Sequence, residues 1–225
     1  MPARRAPADC DDFRDHATTG KQDPMTYCVG ILVREGLVMI ADTRTNAGLD
    51  NIATFRKLHT FERPGAFIAA LATAGNLSIS QAILSHLREG LDDPETGERA
   101  RLVDQTSMFQ AAQLVGRAIR RVHETDGPSL AKVGASFDVS ILLGGQMKGR
   151  DPRLFMLYSA GNFIEATTDT PFLQIGEHKY GKPILDRAVT FETEIYDALK
   201  LGLISMDSTM RSNLGVGLPV DISVM

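Results

Sequence analysis

With 225 residues, 43% apolar and 23% charged, the chain has the composition of one soluble globular domain. Such a domain buries roughly three-quarters of its unfolded surface, so it needs no disulfide or metal to fold. The net charge of −4 argues against nucleic-acid and anionic-membrane partners, no apolar run nears the roughly 18–20 residues that span a bilayer, and Cys10 and Cys28 make no disulfide framework, so a cytoplasmic location is expected.

In chain order, the first segment stands apart. Residues 1–24 hold Pro2, Pro7 and Pro24, mixed charges and one aromatic, Phe13, without the apolar stretch of a secretory signal. They cannot bury enough surface to offset their ordering entropy, and disorder is expected. The division expected is therefore 1–25 as an extension or misplaced start, and 26–225 as the folded domain.

From Thr26 the pattern becomes regular. Residues 27–34 and 37–41 are apolar and rich in β-branched side chains, with a hairpin turn at Glu35-Gly36. A polar loop covers 46–53. Strands are expected at 55–61 and 66–74, joined by a turn at Arg63-Pro64-Gly65. Asn76 or Ser78 can cap a helix whose Ile79, Ile83, Leu84 and Leu87 share one face, stopping near Gly90. After a polar loop at 92–101, Met108, Ala112, Val115, Ile119 and Val122 recur at helical spacing, and Gly127-Pro128 is expected to end that helix. Strands follow at 137–143, 153–159 and 171–175, helices at 182–189 and 194–212, and a strand at 220–225. Strands, two helices, strands, two helices is an α+β order in which sheets stack with helices outside.

The chemistry is narrowed by elimination. The five histidines are scattered, without an HExxH or CxxC pattern, so neither a metal nor a cofactor is expected. There is no G-x-S-x-G elbow and no phosphate-cradling GxxxxGK. Met25-Thr26 puts a small hydroxyl residue where removal of an initiating methionine would expose it. A free N-terminal threonine carries its own base, an α-amine with a pKa near ~8 beside its own Oγ. Asp42 ends the returning strand of the first hairpin and can lie under Thr26, with Arg44 on the same face. Lys57, taken alone, reads as a solvated strand charge; beside Asp42 it becomes a fixed cation that lowers the hydroxyl pKa.

Taken together, Thr26-Tyr-Cys-Val-Gly, Ile40-Ala-Asp42-Thr-Arg44, Phe55-Arg-Lys57 and Ala74-Gly75 opening a helix resemble the proteasome β/HslV superfamily. The stretches MTYCVG, DTRTNAGLDNIATFRK, QIGEHKYGKPILDR and SMDSTMRSN are similar to its Anbu branch of bacterial proteasome-related subunits. The likeness covers residues 25–225. It implies a four-layer αββα sandwich of the N-terminal nucleophile hydrolases and a threonine peptidase cleaving peptide bonds. Thr26 would be the nucleophile, Lys57 would tune it, Asp42 would hold Lys57, and Arg44 would buttress the site. Gly75 falls where the family places an oxyanion-hole amide, and Ser212 matches a serine near the nucleophile's amine. The implied partners are further copies of the chain, in a closed ring or an open spiral, and peptide or unfolded-protein substrates. No ATPase motif is present, so any unfoldase is a separate chain.

Three departures stand out. Gly176-Glu177-His178 replaces Gly-Ser-Gly, Thr209 replaces an aspartate three residues before Ser212, and the chain stops at Met225 where relatives continue, as a truncated gene model would. Two other readings share these residues: a non-catalytic assembly subunit, and an amidase of small molecules. Pro24 and the composition upstream fit an over-extended start, so translation from Met25 and exposure of Thr26 are expected.

Overall fold

Residues 26–46, 52–92 and 97–225 are described by the computed structural model; the expectations for 1–24 lie outside them. The chain opens with β1 (Tyr27–Val33) and β2 (Gly36–Asp42), both buried along their whole length, as their unbroken apolar runs require. The turn between them is Arg34-Glu35, one residue earlier than expected, because Val33 pairs with Gly36. Gly36 belongs to the strand: a Cβ there would stand 2.2 Å from the Met225 carbonyl oxygen. A short ladder, β3 (Arg44–Asn46) with β4 (Ile52–Thr54), takes both ends of the polar loop expected at 46–53, whose residues 47–51 lie outside the described ones.

Next come β5 (Leu58–Arg63) and β6 (Phe67–Gly75), which leave Lys57 just outside the strand expected to contain it. Helix α1 (Leu77–Glu89) is capped by Asn76, whose side chain accepts from the Ser78 N–H at 2.9 Å, and stops at Gly90 with φ of +105°. A two-residue ladder, β7 (Leu91–Asp92) with β8 (Arg99–Ala100), leads to α2 (Met108–Lys132), capped by Ser107.

Helix α2 corrects the expectation that Gly127-Pro128 ends it, since it runs through Pro128 for another turn. A proline disfavours the helical region for its predecessor mainly through that residue's Cβ and N–H. Gly127 has no Cβ, so the obstacle is reduced, and Leu130 beyond it still packs on the core.

The second half holds β9 (Val139–Met147), β10 (Arg153–Leu157), β11 (Phe163–Glu165), β12 (Phe172–Gly176), α3 (Lys182–Ala188), α4 (Ile195–Ser212) and β13 (Val220–Val224). Two antiparallel sheets result, one ordered β12-β1-β2-β13 and the other β11-β10-β9-β6-β5.

The core lies in three slabs. Ile83, Leu87, Leu114, Val115 and Ile119 of α1 and α2 pack on Leu71, Ile141 and Phe155 of the five-stranded sheet. Tyr27, Ile31 and Ile40 of the four-stranded sheet meet Leu185 of α3 and Ala198 and Met206 of α4. Between the sheets lie Cys28, Leu37, Met39, Ala41, Ala70, Ala72, Leu142 and Leu154, a layer that mixes alanines with leucines and a methionine. Within it, a Cβ on Gly30 would stand 2.7 Å from Leu154 Cδ1, and one on Gly144 would stand 2.4 Å from Leu37 Cδ2. Helices outside, two sheets inside, is the four-layer αββα sandwich. Among the described residues, no helix is long and apolar enough to cross a membrane.

Candidate active site around Thr26

Thr26 immediately precedes β1 and is 8% exposed. The peptide unit joining it to Tyr27 is held at both polar ends. Its carbonyl oxygen accepts from the Glu177 N–H at 2.7 Å, and its N–H, that of Tyr27, donates to Asp42 Oδ1 at 3.0 Å. Gly176, paired with Tyr27 across β1 and β12, has φ of +83°, and a Cβ there would lie 2.0 Å from the Thr26 carbonyl oxygen. Only glycine supplies both the dihedral and the clearance.

Asp42 ends β2 with no exposed surface. Lys57, also buried, donates from Nζ to Asp42 Oδ1 at 2.8 Å and to the Arg44 carbonyl at 2.6 Å. Asp42 Oδ2 accepts from the backbone N–H groups of Arg44 at 3.2 Å and Gly217 at 3.4 Å. Burial pushes the Asp42 carboxyl above the ordinary carboxylate range; the Lys57 ammonium and the Tyr27 and Gly217 amides pull against that rise. The hairpin brings Asp42 to Tyr27, as its register dictates, so this pairing follows from the sequence directly.

Arg44 is half-buried, and its guanidinium turns toward the segment after α4. Nη1 donates to the Leu214 carbonyl at 3.0 Å, and Cζ lies where it would be 2.4 Å from a Cβ on Gly217. Gly75 is at the exposed end of β6, at the entrance of α1, with φ of +101°. A Cβ there would stand 2.4 Å from the Asp138 carbonyl oxygen, so the backbone requires glycine whatever else the position does. The end of β6 adjoins the site: Thr73 N–H donates to the Lys57 carbonyl at 3.0 Å, and Cys28 Sγ approaches the Thr73 carbonyl at 3.8 Å. Ser212 is the exposed last residue of α4, and among the described residues it makes no hydrogen bond to Thr26, Asp42 or Lys57. The Thr209 hydroxyl is spent inside α4 on the Ser205 carbonyl at 2.9 Å.

Two residues at the site were not foreseen in these roles. Glu177 is 3% exposed; its Oε1 accepts from the His178 and Lys179 N–H groups, each at 2.8 Å, and its Oε2 accepts from Asn213 Nδ2 at 3.1 Å. Burial raises its carboxyl, but the Lys179 and His178 amides and the Asn213 side chain together outweigh it and hold it below the usual range. The substitution of a serine by Glu177 was the visible signal; nothing marked Asn213 as its partner. Among the described residues, no group of three or more His, Cys, Asp or Glu gathers to hold a metal.

An αββα sandwich that buries an Asp–Lys pair beside a threonine opening its first strand is the proteasome-type form of the N-terminal nucleophile fold. No protein-family model matches the chain, and no curated protein does. Solved structures do. Anbu (ancestral beta-subunit) from Yersinia bercovieri is 48% identical over 88% of this chain and 81% of its own, with a TM-score of 0.79. The subunit in the helical assembly of the Anbu complex from Pseudomonas aeruginosa is 47% identical over 89% and 81%, with a TM-score of 0.81. Anbu from Hyphomicrobium sp. strain MC1 is 46% identical over 89% and 82%, with a TM-score of 0.79. The chain belongs to the Anbu family of bacterial proteasome-related β subunits.

Proposed function

We propose that this subunit is a threonine peptidase, hydrolysing peptide bonds with Thr26 as nucleophile in an assembly of identical copies. The observation that carries the reading is the buried Lys57–Asp42 pair at 2.8 Å, with Asp42 also bonded to the peptide that follows Thr26. A buried ammonium held this way is costly to desolvate, and its use is to stabilise negative charge developing on an oxygen nearby. Thr26 Oγ attacks the substrate carbonyl carbon while the α-amine takes the hydroxyl proton and delivers it to the leaving nitrogen. The C–N bond breaks, an ester forms on Oγ, and water then cleaves that ester by the same base. Gly75 lies at a strand end where a backbone N–H can meet the oxyanion.

The α-nitrogen serves as base only when free, because an acylated nitrogen is an amide. In the sequence as written it is bonded to Met25, so hydrolysis of that bond, or translation from Met25 with methionine removal, comes first. Self-assembly is supported by the relative from Pseudomonas aeruginosa, which was solved as a helical assembly. The test is intact-mass measurement of the native particle, followed by incubation with a peptide epoxyketone, which needs both the hydroxyl and the free amine. A chain beginning at Thr26 that gains the inhibitor's mass supports the proposal. A particle that starts there, binds nothing and cleaves no peptide overturns it in favour of a non-catalytic assembly subunit; cleavage restricted to small amides moves it to an amidase.

A further inference from the structure

The loop after α4 and the loop after β12 are distant in sequence, yet both close on the peptide that follows Thr26. Glu177 N–H holds the carbonyl of that peptide, and the Glu177 carboxylate reaches Asn213 at 3.1 Å. Asn213 in turn organises its own loop. Its Oδ1 accepts from the Gly215 N–H at 2.8 Å, and its carbonyl accepts from the Val216 N–H at 3.1 Å. The next residue, Gly217, donates to Asp42 Oδ2, and Asp42 Oδ1 accepts from Tyr27, which completes a ring around the nucleophile's peptide. Arg44 braces the same loop through Leu214.

We propose that Glu177 and Asn213 are positioning residues for Thr26: their side-chain bond couples the two loops, and so fixes the Thr26–Tyr27 peptide relative to the Asp42–Lys57 pair. This rests on the threonine-peptidase reading, but the ring itself can be tested without it. Neither residue has to touch substrate. The carboxylate at 177 already spends Oε1 on two backbone amides and Oε2 on Asn213, so it acts as an anchor. A nucleophile displaced by a fraction of an ångström loses rate without losing the fold.

The geometry allows a donor–acceptor exchange. In Glu177→Gln the new amide can keep its oxygen on the His178 and Lys179 amides, which turns its NH₂ against the NH₂ of Asn213. In Asn213→Asp, carboxylate faces carboxylate. In the double variant the Gln NH₂ donates to the Asp carboxylate, whose other oxygen still accepts from Gly215, and net charge is that of the parent. Three measurements on assembled particles, well below their melting temperatures, decide the matter: the rate constant for epoxyketone labelling of Thr26, kcat separated from KM for a fluorogenic peptide, and hydrogen exchange of the 176–180 amides. We expect each single variant to slow labelling and kcat by on the order of 10- to 100-fold with little change in KM. Exchange at Glu177 should be faster in each, and the double variant should recover both. Single variants that lose stability but label at the parental rate, or a double variant that recovers neither, would overturn the proposal. A parent that is never labelled, with exchange still responding and recovering as described, would keep the coupling of the loops and reject the peptidase reading instead.

Discussion

Lys57 and Asp42 belong to different sheets: Asp42 ends β2 of the four-stranded sheet, Lys57 leads into β5 of the five-stranded one, and their 2.8 Å bond joins the two. Lys57→Ala therefore removes the cation and strips a cross-sheet tie. Leaving the Asp42 carboxylate buried without it should cost ~3–5 kcal/mol near neutral pH. The deficit should shrink as pH falls, because a carboxyl already pushed upward takes a proton more readily once its cation is gone. Denaturant melts at pH 5 and pH 8 read this directly, and an equal deficit at both would refute it. Peptide cleavage should fall further in Lys57→Ala than in Arg44→Ala, since Arg44 acts through the loop after α4.

Thr26→Ala removes one hydroxyl and one methyl from a residue whose described backbone bonds remain intact. The melting temperature should stay within a degree or two of the parent, while epoxyketone labelling and peptide hydrolysis disappear. Labelling that persists in Thr26→Ala would assign the nucleophile elsewhere.

Gly75→Ala tests the entrance of α1. The positive φ and the 2.4 Å approach to the Asp138 carbonyl both oppose a Cβ, at a cost of roughly 1–3 kcal/mol from the backbone conformation alone. Calorimetry of the variant should show that loss. A variant as stable as the parent would mean that the strand end relaxes freely.

Tyr27 gives the alkaline dependence. Burial pushes its phenol up to about 12, and its hydroxyl bonds Ser205 Oγ. The unfolded chain releases this proton near its ordinary value of 10.0, while the folded chain keeps it until about 12. Between those values the folded state binds more protons, so stability falls as pH rises, by roughly 3 kcal/mol in all. Tyr27→Phe should remove this contribution to the slope between pH 10 and 12, and cost ~1 kcal/mol at neutral pH for the unpaired Ser205 hydroxyl. An unchanged alkaline slope in the variant would show that Tyr27 does not control it.

Much of the fold was legible because its strands and helices announce themselves locally. The apolar runs of β1 and β2, the Asn76 cap and the spacing along α2 need no tertiary information. Misses came where a local rule met a compensating neighbour. Pro128 is tolerated because Gly127 precedes it, and Gly36 looked like a turn residue although its reason is the Met225 carbonyl. β11, three residues long, is too short to carry a period. At the site, Asp42 and Arg44 could be placed by counting along a hairpin, and Lys57 by resemblance. The Glu177–Asn213 bond spans 36 positions and exists only because two loops converge, so no window of sequence contains it.

The layer between the sheets has a mechanical consequence. Thr26 and Asp42 ride on one sheet, Lys57 and Gly75 on the other, so the site is a pair of jaws whose opening is set by what fills the space behind them. Leucines and Met39, interleaved with alanines, are that filling, and they act as a gauge. Gly144 lies in β9, which carries none of the proposed site residues, yet a methyl there would press on Leu37 Cδ2 and Met39 Sδ, at 2.4 and 2.7 Å, across the gap. Those side chains either swing aside or wedge the sheets apart. In the second case the jaws open at the far end, and Thr26 loses its distance to the Lys57 ammonium through a substitution that never touches either.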